Sequence, residues 1–376
     1  MALNRYIKIV IFSVVPLLFS ATVNLPSYIS KVYKKKTTDF PKAFIVSGAH
    51  GDELGGYLSA VYIYKTFKIE NGNMKFFPFL NIKSVVRTYR YLDGVGDIND
   101  KFVFSEQNLL DLPDDIFKKI NFVKREMKSF KPDLVLSLHA GWGYSVINGR
   151  RWGNSITIDE KRYKGLILYP NAKKVLEVIN SKNHFKYRDY SLKVLNIFSK
   201  NRKTETNDFS TWVLKSGFPI YTIESSKQLD LWRQIYNTSF AVTEFLKLYG
   251  FKIKNEKTAL SRRTIEKFLN SIKRKRVNLK FYIDGKFHNY VCEYGKKLKI
   301  PVSKNSSIII PEIEVNDLGY FIVPRSEKNY KKSYTFKEFI NFKVKYLDIY
   351  KKRYTDYCYI EFVIKRETTS GTLDKR

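Results

Sequence analysis

Apolar residues fall in short continuous blocks over the first two thirds of the chain and alternate with polar ones over the last third. Residues 43–46 (AFIV), 133–139 (DLVLSLH) and 219–224 (PIYTIE) read as strands buried on both faces, each bounded by turn residues. Residues 75–78 and 81–87 (NIKSVVR) read as strand-like, and 165–169 as one more short apolar strand. Between these blocks the period lengthens. Residues 116–128 (IFKKINFVKREMK) place apolar side chains at helical spacing and stop at Lys131-Pro132, while the run from Tyr57, 172–181 and 230–247 also read as helices. Strands separated by helices over 41–250 predict the α/β class, with a mixed, mostly parallel sheet sandwiched by helices.

From about residue 251 the pattern changes. Residues 252–276 are basic and helix-like, with Leu260, Ile265, Phe268, Leu269 and Ile272 on one face. Period-two runs follow at 278–294 and 357–365, with Asp284-Gly285 as a hairpin turn signal. This predicts a β-rich accessory region over 251–376, with an immunoglobulin-like sandwich as its candidate fold.

The N-terminus carries a different signal. Arg5 and Lys8 precede the uncharged run 9–23, a basic segment followed by an apolar one, as in a secretory signal. The run is short of the roughly 20 residues a comfortable membrane span needs, and Pro16 interrupts it, but no clean cleavage site follows. A cleaved signal peptide and a retained membrane anchor over 1–25 both stay open, and either implies export to the periplasm. Residues 26–40 read as a basic linker.

Composition narrows the classes. The 376 residues are 44% hydrophobic and 16% aromatic, which excludes wholesale disorder and allows a large core. The net charge of +32 comes mostly from dispersed lysine, and no zinc-finger, P-loop or RNP pattern accompanies it. Nucleic acid is therefore not expected as a partner. The charge is read either as attraction to another polyanion or as a compositional bias that keeps the surface soluble. Only two cysteines occur, Cys292 and Cys358, which would pair in an oxidising compartment and remain thiols in a reducing one.

The candidate chemistry starts at the end of the first buried block. Residues 47–56 (SGAHGDELGG) deliver His50, Asp52 and Glu53 in a glycine-rich turn before a helix. Imidazole and carboxylate are ordinary zinc ligands, and a catalytic zinc takes three protein ligands with one position open. A turn in which His50 only caps the helix and Glu53 is solvated would use the same residues. His139 is one of four histidines, with His50, His184 and His288, and it too ends a buried block. Ligands gather at the carboxyl ends of strands in open α/β sheets, so His50, Glu53 and His139 form the candidate metal site. Glu224 also ends a buried strand, where a carboxylate is costly unless it is paired or functional. It is the candidate general base.

These residues carry a family resemblance. His50-Gly51-Asp52-Glu53, the segment from Arg90 to Asn99, Leu136-Ser137-Leu138-His139 and Tyr221-Thr222-Ile223-Glu224 fall in the order of the zinc metallocarboxypeptidases of the carboxypeptidase A type. Within that superfamily the chain most resembles the murein tripeptide D,L-carboxypeptidases that determine helical cell shape. The resemblance implies one zinc ion and a peptidoglycan stem peptide as substrate, cut to release its terminal diaminopimelate. It implies that Arg90 polarises the scissile carbonyl and that Asn99 grips the terminal carboxylate. The family usually carries arginine after that asparagine; here the position is Asp100. One carboxylate cannot pair with another, so Arg87, Arg150 or Arg151 is expected to meet the substrate's anionic end. Asp93, Asp97 and Asp100 also admit a calcium-loop reading, although the full spacing is missing. Asp133, on the strand of His139, is a candidate support for that ligand.

Two alternatives remain. An N-acyl amino acid deacylase of the succinylglutamate desuccinylase or aspartoacylase type shares the first and third motifs. An inactive cell-wall-binding protein on the same fold would explain Asp100.

Overall fold

The computed structural model describes residues 29–33, 40–87, 89–91, 95–103, 113–182, 189–198, 208–272, 276–293, 295–303, 306–309, 320–323, 333–335, 341–348 and 353–364. The N-terminal apolar run, His184 and Asp93 lie outside them. Among the described residues no helix is long and apolar enough to cross a membrane.

The α/β part is built on a seven-stranded sheet. Its elements are β1 (Ile29–Tyr33), β2 (Lys42–Ser47), α1 (Leu54–Thr66), β3 (Gly72–Phe77), α2 (Ile82–Arg87), α3 (Asp114–Phe130), β4 (Leu134–Gly141) and β5 (Ser155–Ile158). A small hairpin, β6 (Arg162–Tyr163) and β7 (Leu166–Ile167), leads to α4 (Tyr169–Ser181), β8 (Ser191–Val194), α5 (Phe209–Lys215), β9 (Ile220–Ser226) and α6 (Leu231–Leu248). The spatial order is β1-β3-β2-β4-β9-β5-β8. The central run β3, β2, β4 and β9 is parallel, whereas β1 meets β3 and β5 meets β9 antiparallel. The expected mixed, mostly parallel sheet is the one observed.

β2 and β4 are buried almost throughout, because α1 and α6 cover the sheet with Tyr57, Leu58, Ile235, Phe245 and other apolar side chains. The sequence reading departs from the structure in three places. Residues 81–87, expected as a strand, form α2: the Asn81 side chain accepts a hydrogen bond from Ser84 N at 3.2 Å and starts the helix in spite of the two valines that follow. Residues 29–33, placed in the linker, form β1 and add an edge strand to the sheet. The basic stretch after 251 forms two helices, α7 (Glu256–Ala259) and α8 (Arg262–Ser271), rather than one. Both return to the α/β core. The Tyr62 hydroxyl donates to Ala259 O, and the Tyr62 and Phe268 rings meet edge-on at 5.1 Å.

The β-rich region begins at β10 (Arg276–Ile283) and continues through β11 (Lys286–Glu293), β12 (Lys297–Val302), β13 (Ser307–Ile309), β14 (Tyr320–Val323), β15 (Ser333–Thr335), β16 (Asn341–Asp348) and β17 (Arg353–Ile364). These form two four-stranded sheets, β11-β10-β13-β15 and β12-β17-β16-β14. The β10–β11 hairpin turns on Asp284 and Gly285, both at positive φ, as the sequence signal required. Cys292, on β11, is disulfide-bonded.

Candidate functional site

The carboxyl ends of β2, β4 and β9 lie side by side, and the site is built there. Gly48, at φ +69°, turns the chain out of β2, and a Cβ at this position would lie 2.5 Å from Pro78 O. Glu53 stands at the cap position of α1, but its side chain makes no capping hydrogen bond. It turns inward instead and is buried. Two glycines of its first turn, Gly55 and Gly56, let the helix end come close. A Cβ on Gly56 would lie 2.6 Å from Leu138 O, so only glycine lets α1 rest against the strand that carries His139. Pairing of β4 with β9 then sets His139 directly beside Glu224.

His50, Glu53 and His139 meet, with one donor atom from each lying within 4.8 Å of the others. His50 Nδ1 donates to Glu53 Oε1 and His139 Nδ1 to Glu53 Oε2, both at 2.8 Å. The two outer nitrogens are also held: His50 Nε2 lies 2.9 Å from Asp97 Oδ2, and His139 Nε2 lies 3.0 Å from Ser137 Oγ. A histidine with one nitrogen turned into a shared pocket and the other fixed by an outer partner is the arrangement that orients metal ligands. Donor set, burial and outer partners all fit a zinc or similar ion. The reading in which Glu53 is solvated is excluded by its burial.

Protonation follows from this packing. Burial works against charge on His50, but hydrogen bonds to Asp97 and Glu53 outweigh it and push the imidazole up to about 9. Burial would raise Glu53, and the neighbouring His139 and His50 nonetheless hold it well below the usual carboxylate range. His139 is raised by Glu53 against the effect of its own burial. Protons therefore sit where a cation would.

Glu224 is the other feature of the site. Its Oε2 is buried and has no hydrogen-bond partner among the described residues. Burial first, and the charge on Glu53 second, push its carboxyl up to about 7, while His139, His50 and Lys227 pull the other way. A base titrating near neutrality suits proton transfer at physiological pH. Arg90 Nη1 donates to Glu53 Oε1 at 2.7 Å, and its Nε donates to Tyr91 at 2.8 Å. The guanidinium is thus within reach of the same centre.

A cleft of about 520 Å³ opens over these groups. Asn99, Arg150, Arg151 and Asp208 line it, and so do Lys227 and Asp159, which the sequence did not single out. Arg87 lies at the end of α2, and its side chain falls outside the described residues. Two of the readings are corrected. Asp133 accepts from Lys42 N at 2.8 Å at the opposite end of β4, so it does not support His139. Asp97 and Asp100 do not converge on a calcium ion: Asp97 turns to His50 and also caps the short helix Ile98–Lys101 by accepting from Asn99 N, while Asp100 is exposed.

Asp97 and Ser137 were missed as partners of the histidines. A signal did exist for part of the polar lining. Ser137 and His139 on β4, and Thr222 and Glu224 on β9, are polar residues two apart in otherwise apolar strands, so each pair faces one side of the sheet.

Comparison with known proteins agrees with this geometry. Residues 5–270 match the family model described as the catalytic region of the carboxypeptidase controlling helical cell shape. No curated protein matches. Among solved structures, the chain is similar to the apo form of the cell shape determinant protein Csd4 from Helicobacter pylori, at 19% identity and a TM-score of 0.58 over 89% of this chain and 99% of that one. It is similar to the mDAP-bound form of the same D,L-carboxypeptidase at 18% identity and a TM-score of 0.57, covering 89% of this chain and 100% of that one. The tripeptide-bound form matches at 19% identity and a TM-score of 0.57, over 89% and 99%. At these identities the structures speak for the fold, and the family match speaks for the class of enzyme. The chain belongs to the family of carboxypeptidases, hydrolases of peptide bonds, that control helical cell shape.

Proposed function

We propose that the protein is an exported, zinc-dependent D,L-carboxypeptidase that trims peptidoglycan stem peptides by removing the terminal diaminopimelate of a murein tripeptide. The observation that carries this is a buried His50–Glu53–His139 cluster with an unpartnered Glu224 beside it, in a chain of this family. The mDAP-bound and tripeptide-bound states of the similar Csd4 support the choice of substrate.

Zinc, held by His50, Glu53 and His139, would acidify a water and polarise the scissile carbonyl. Glu224 takes a proton from the attacking water and hands it to the leaving amine as the peptide bond breaks. Its burial keeps the carboxylate without a competing partner until substrate arrives. Arg90 steadies the negative charge that develops on the carbonyl oxygen, moving a short distance from Glu53 to do so. Asn99 and the exposed Arg150 and Arg151 meet the terminal carboxylate, in place of the arginine that Asp100 replaces. Export through the N-terminal apolar segment would deliver the enzyme to this substrate, whether that segment is cleaved or retained as an anchor.

The test is incubation of the zinc-loaded protein with purified muropeptides, followed by mass spectrometry beside Glu224→Ala. Loss of one terminal diaminopimelate from tripeptides in the wild type alone is the expected result. Intact tripeptides with zinc still bound would sink the reading and turn attention to N-acyl amino acids.

A further inference from the structure

The two sheets of the β-rich part end in four strands, and three of these are blunted. β14 and β15 are only four and three residues long, and β12 carries Lys297, Lys299 and Pro301. Short strands, lysine and proline are the means by which sheet edges avoid pairing with other chains. β11 has none of them between its ends. It runs eight residues and pairs with β10 without a bulge. From 287 to 292 it holds no Lys, Arg, Asp, Glu, Pro or Gly, in a chain whose net charge is +32. Among the described residues β10 is its only neighbour in the sheet.

The hairpin decides which way the backbone of β11 points. Asp284 and Gly285 form a two-residue turn with Ile283 facing Lys286, and the pair that closes such a turn is hydrogen-bonded. Bonded and non-bonded pairs then alternate, so His288, Tyr290 and Cys292 direct their N–H and C=O groups at β10. Phe287, Asn289 and Val291 direct theirs away from it. The side chains of the same three residues stand on the outer face: Phe287 is 53% exposed, Val291 is 50% exposed, and Asn289 is exposed as well. The Phe287 and Tyr282 rings meet at 5.6 Å across a non-bonded pair, where cross-strand side chains lie closest.

We propose that β11 is a self-association edge: a second copy of the chain adds its own β11 antiparallel, centred on Asn289, and joins the two β11-β10-β13-β15 sheets into one. The register identifies the occupant. Centring on Asn289 sets Phe287 opposite Val291 of the second copy and brings the two Asn289 amides side by side. It also matches outward-directed backbone groups with outward-directed ones, so a ladder forms. Centring on His288 instead leaves Val291 opposite the turn at Gly285, and centring on Tyr290 puts Phe287 opposite Glu293. A slip of one residue sets exposed side chains opposite those that face the sandwich. Only the Asn289 register covers both exposed apolar side chains. A two-fold contact of this kind closes on itself, so assembly stops at the dimer.

Sedimentation of the full chain over about 1 to 100 µM gives the association state. A monomer–dimer equilibrium with no larger species is expected. Raising the salt from about 0.1 to about 0.5 M should strengthen it, because salt screens the repulsion between two copies of charge +32. Asn289→Pro removes an N–H that points away from β10, a change that a sheet edge accepts. Val291→Lys places a charge opposite Phe287 of the second copy. Each variant should weaken the dimer at least about tenfold, with the circular dichroism spectrum unchanged. A wild type that stays monomeric over this range would overturn the edge. So would a dimer that neither variant weakens, which would place association elsewhere, the N-terminal apolar run included. An open series of larger species would also count against it, since that requires a head-to-tail contact with a different edge. If Asn289→Pro fails to fold, Val291→Lys, at a half-exposed position, decides alone.

Discussion

Glu224 shows how a single side chain exposes its role through what it lacks. A buried carboxylate oxygen without a partner is destabilising, so its persistence calls for a group that arrives later. Glu224→Gln should lower kcat by about 10² to 10⁴, the usual range for a general base, while a chelator competition shows zinc binding retained. The pH profile should carry the same signature. Glu224 acts as a base only when ionised, and its carboxyl is pushed up to about 7, so kcat/KM should fall as the pH drops through that region. The positive charge of a bound metal moves the limb to lower pH. An acid limb that persists in Glu224→Gln would assign it to another group. His139 and Glu224 were legible because each is a polar residue at the end of an apolar block, where chance rarely puts one, and His50 and Glu53 because they lie together in the glycine-rich turn that leaves such a block. Asp97 was not, because its choice of His50 over a cation depends on how the loop folds over the site, a distance of 47 residues along the chain.

At the scale of elements, the site depends on how near α1 comes to β4. Gly56 permits that approach, so Gly56→Val should destabilise the α/β part by about 1–3 kcal/mol through overpacking. A thermal melt would show it, with metal affinity falling in parallel as His139 moves away from Glu53. The loop before α3 acts through orientation instead. Asp97→Ala should leave the fold intact and weaken zinc binding by about 10- to 100-fold, the usual cost of removing a ligand's outer partner. Metal affinity should also weaken as the pH is lowered. The metal-free site holds protons on His50 up to about pH 9, and binding must displace them, so competition against a chelator at pH 6, 7 and 8 should show affinity rising with pH. The buried strands were readable from their continuous apolar runs. Residues 81–87 were misread because Val85 and Val86 favour a strand, whereas the Asn81 cap that decides for a helix is one local hydrogen bond.

For the whole molecule, the two parts are stabilised by different means, and that difference is testable. The α/β part has a continuous core from Ala43 to Leu269 and a ligand site that a metal would tighten. Among the described residues the β-rich part buries Ile300, Ile360 and Phe362, and it adds the Cys292 disulfide, for which Cys358 is the only other cysteine in the sequence. Closing a loop of that length restricts the unfolded chain, and removing a disulfide from a small exported domain costs about 2–5 kcal/mol. The sequence placed Cys292 on a strand but left its oxidation state open, because register between distant strands is set only when the two sheets form. Differential scanning calorimetry should therefore respond in two separate ways. A chelator should lower the transition of the α/β part alone, since metal binding stabilises only the state that holds the site. A reductant should lower the transition of the β-rich part alone. If either reagent shifts both transitions together, the two parts unfold as one unit, and the β-rich region supports the catalytic fold directly.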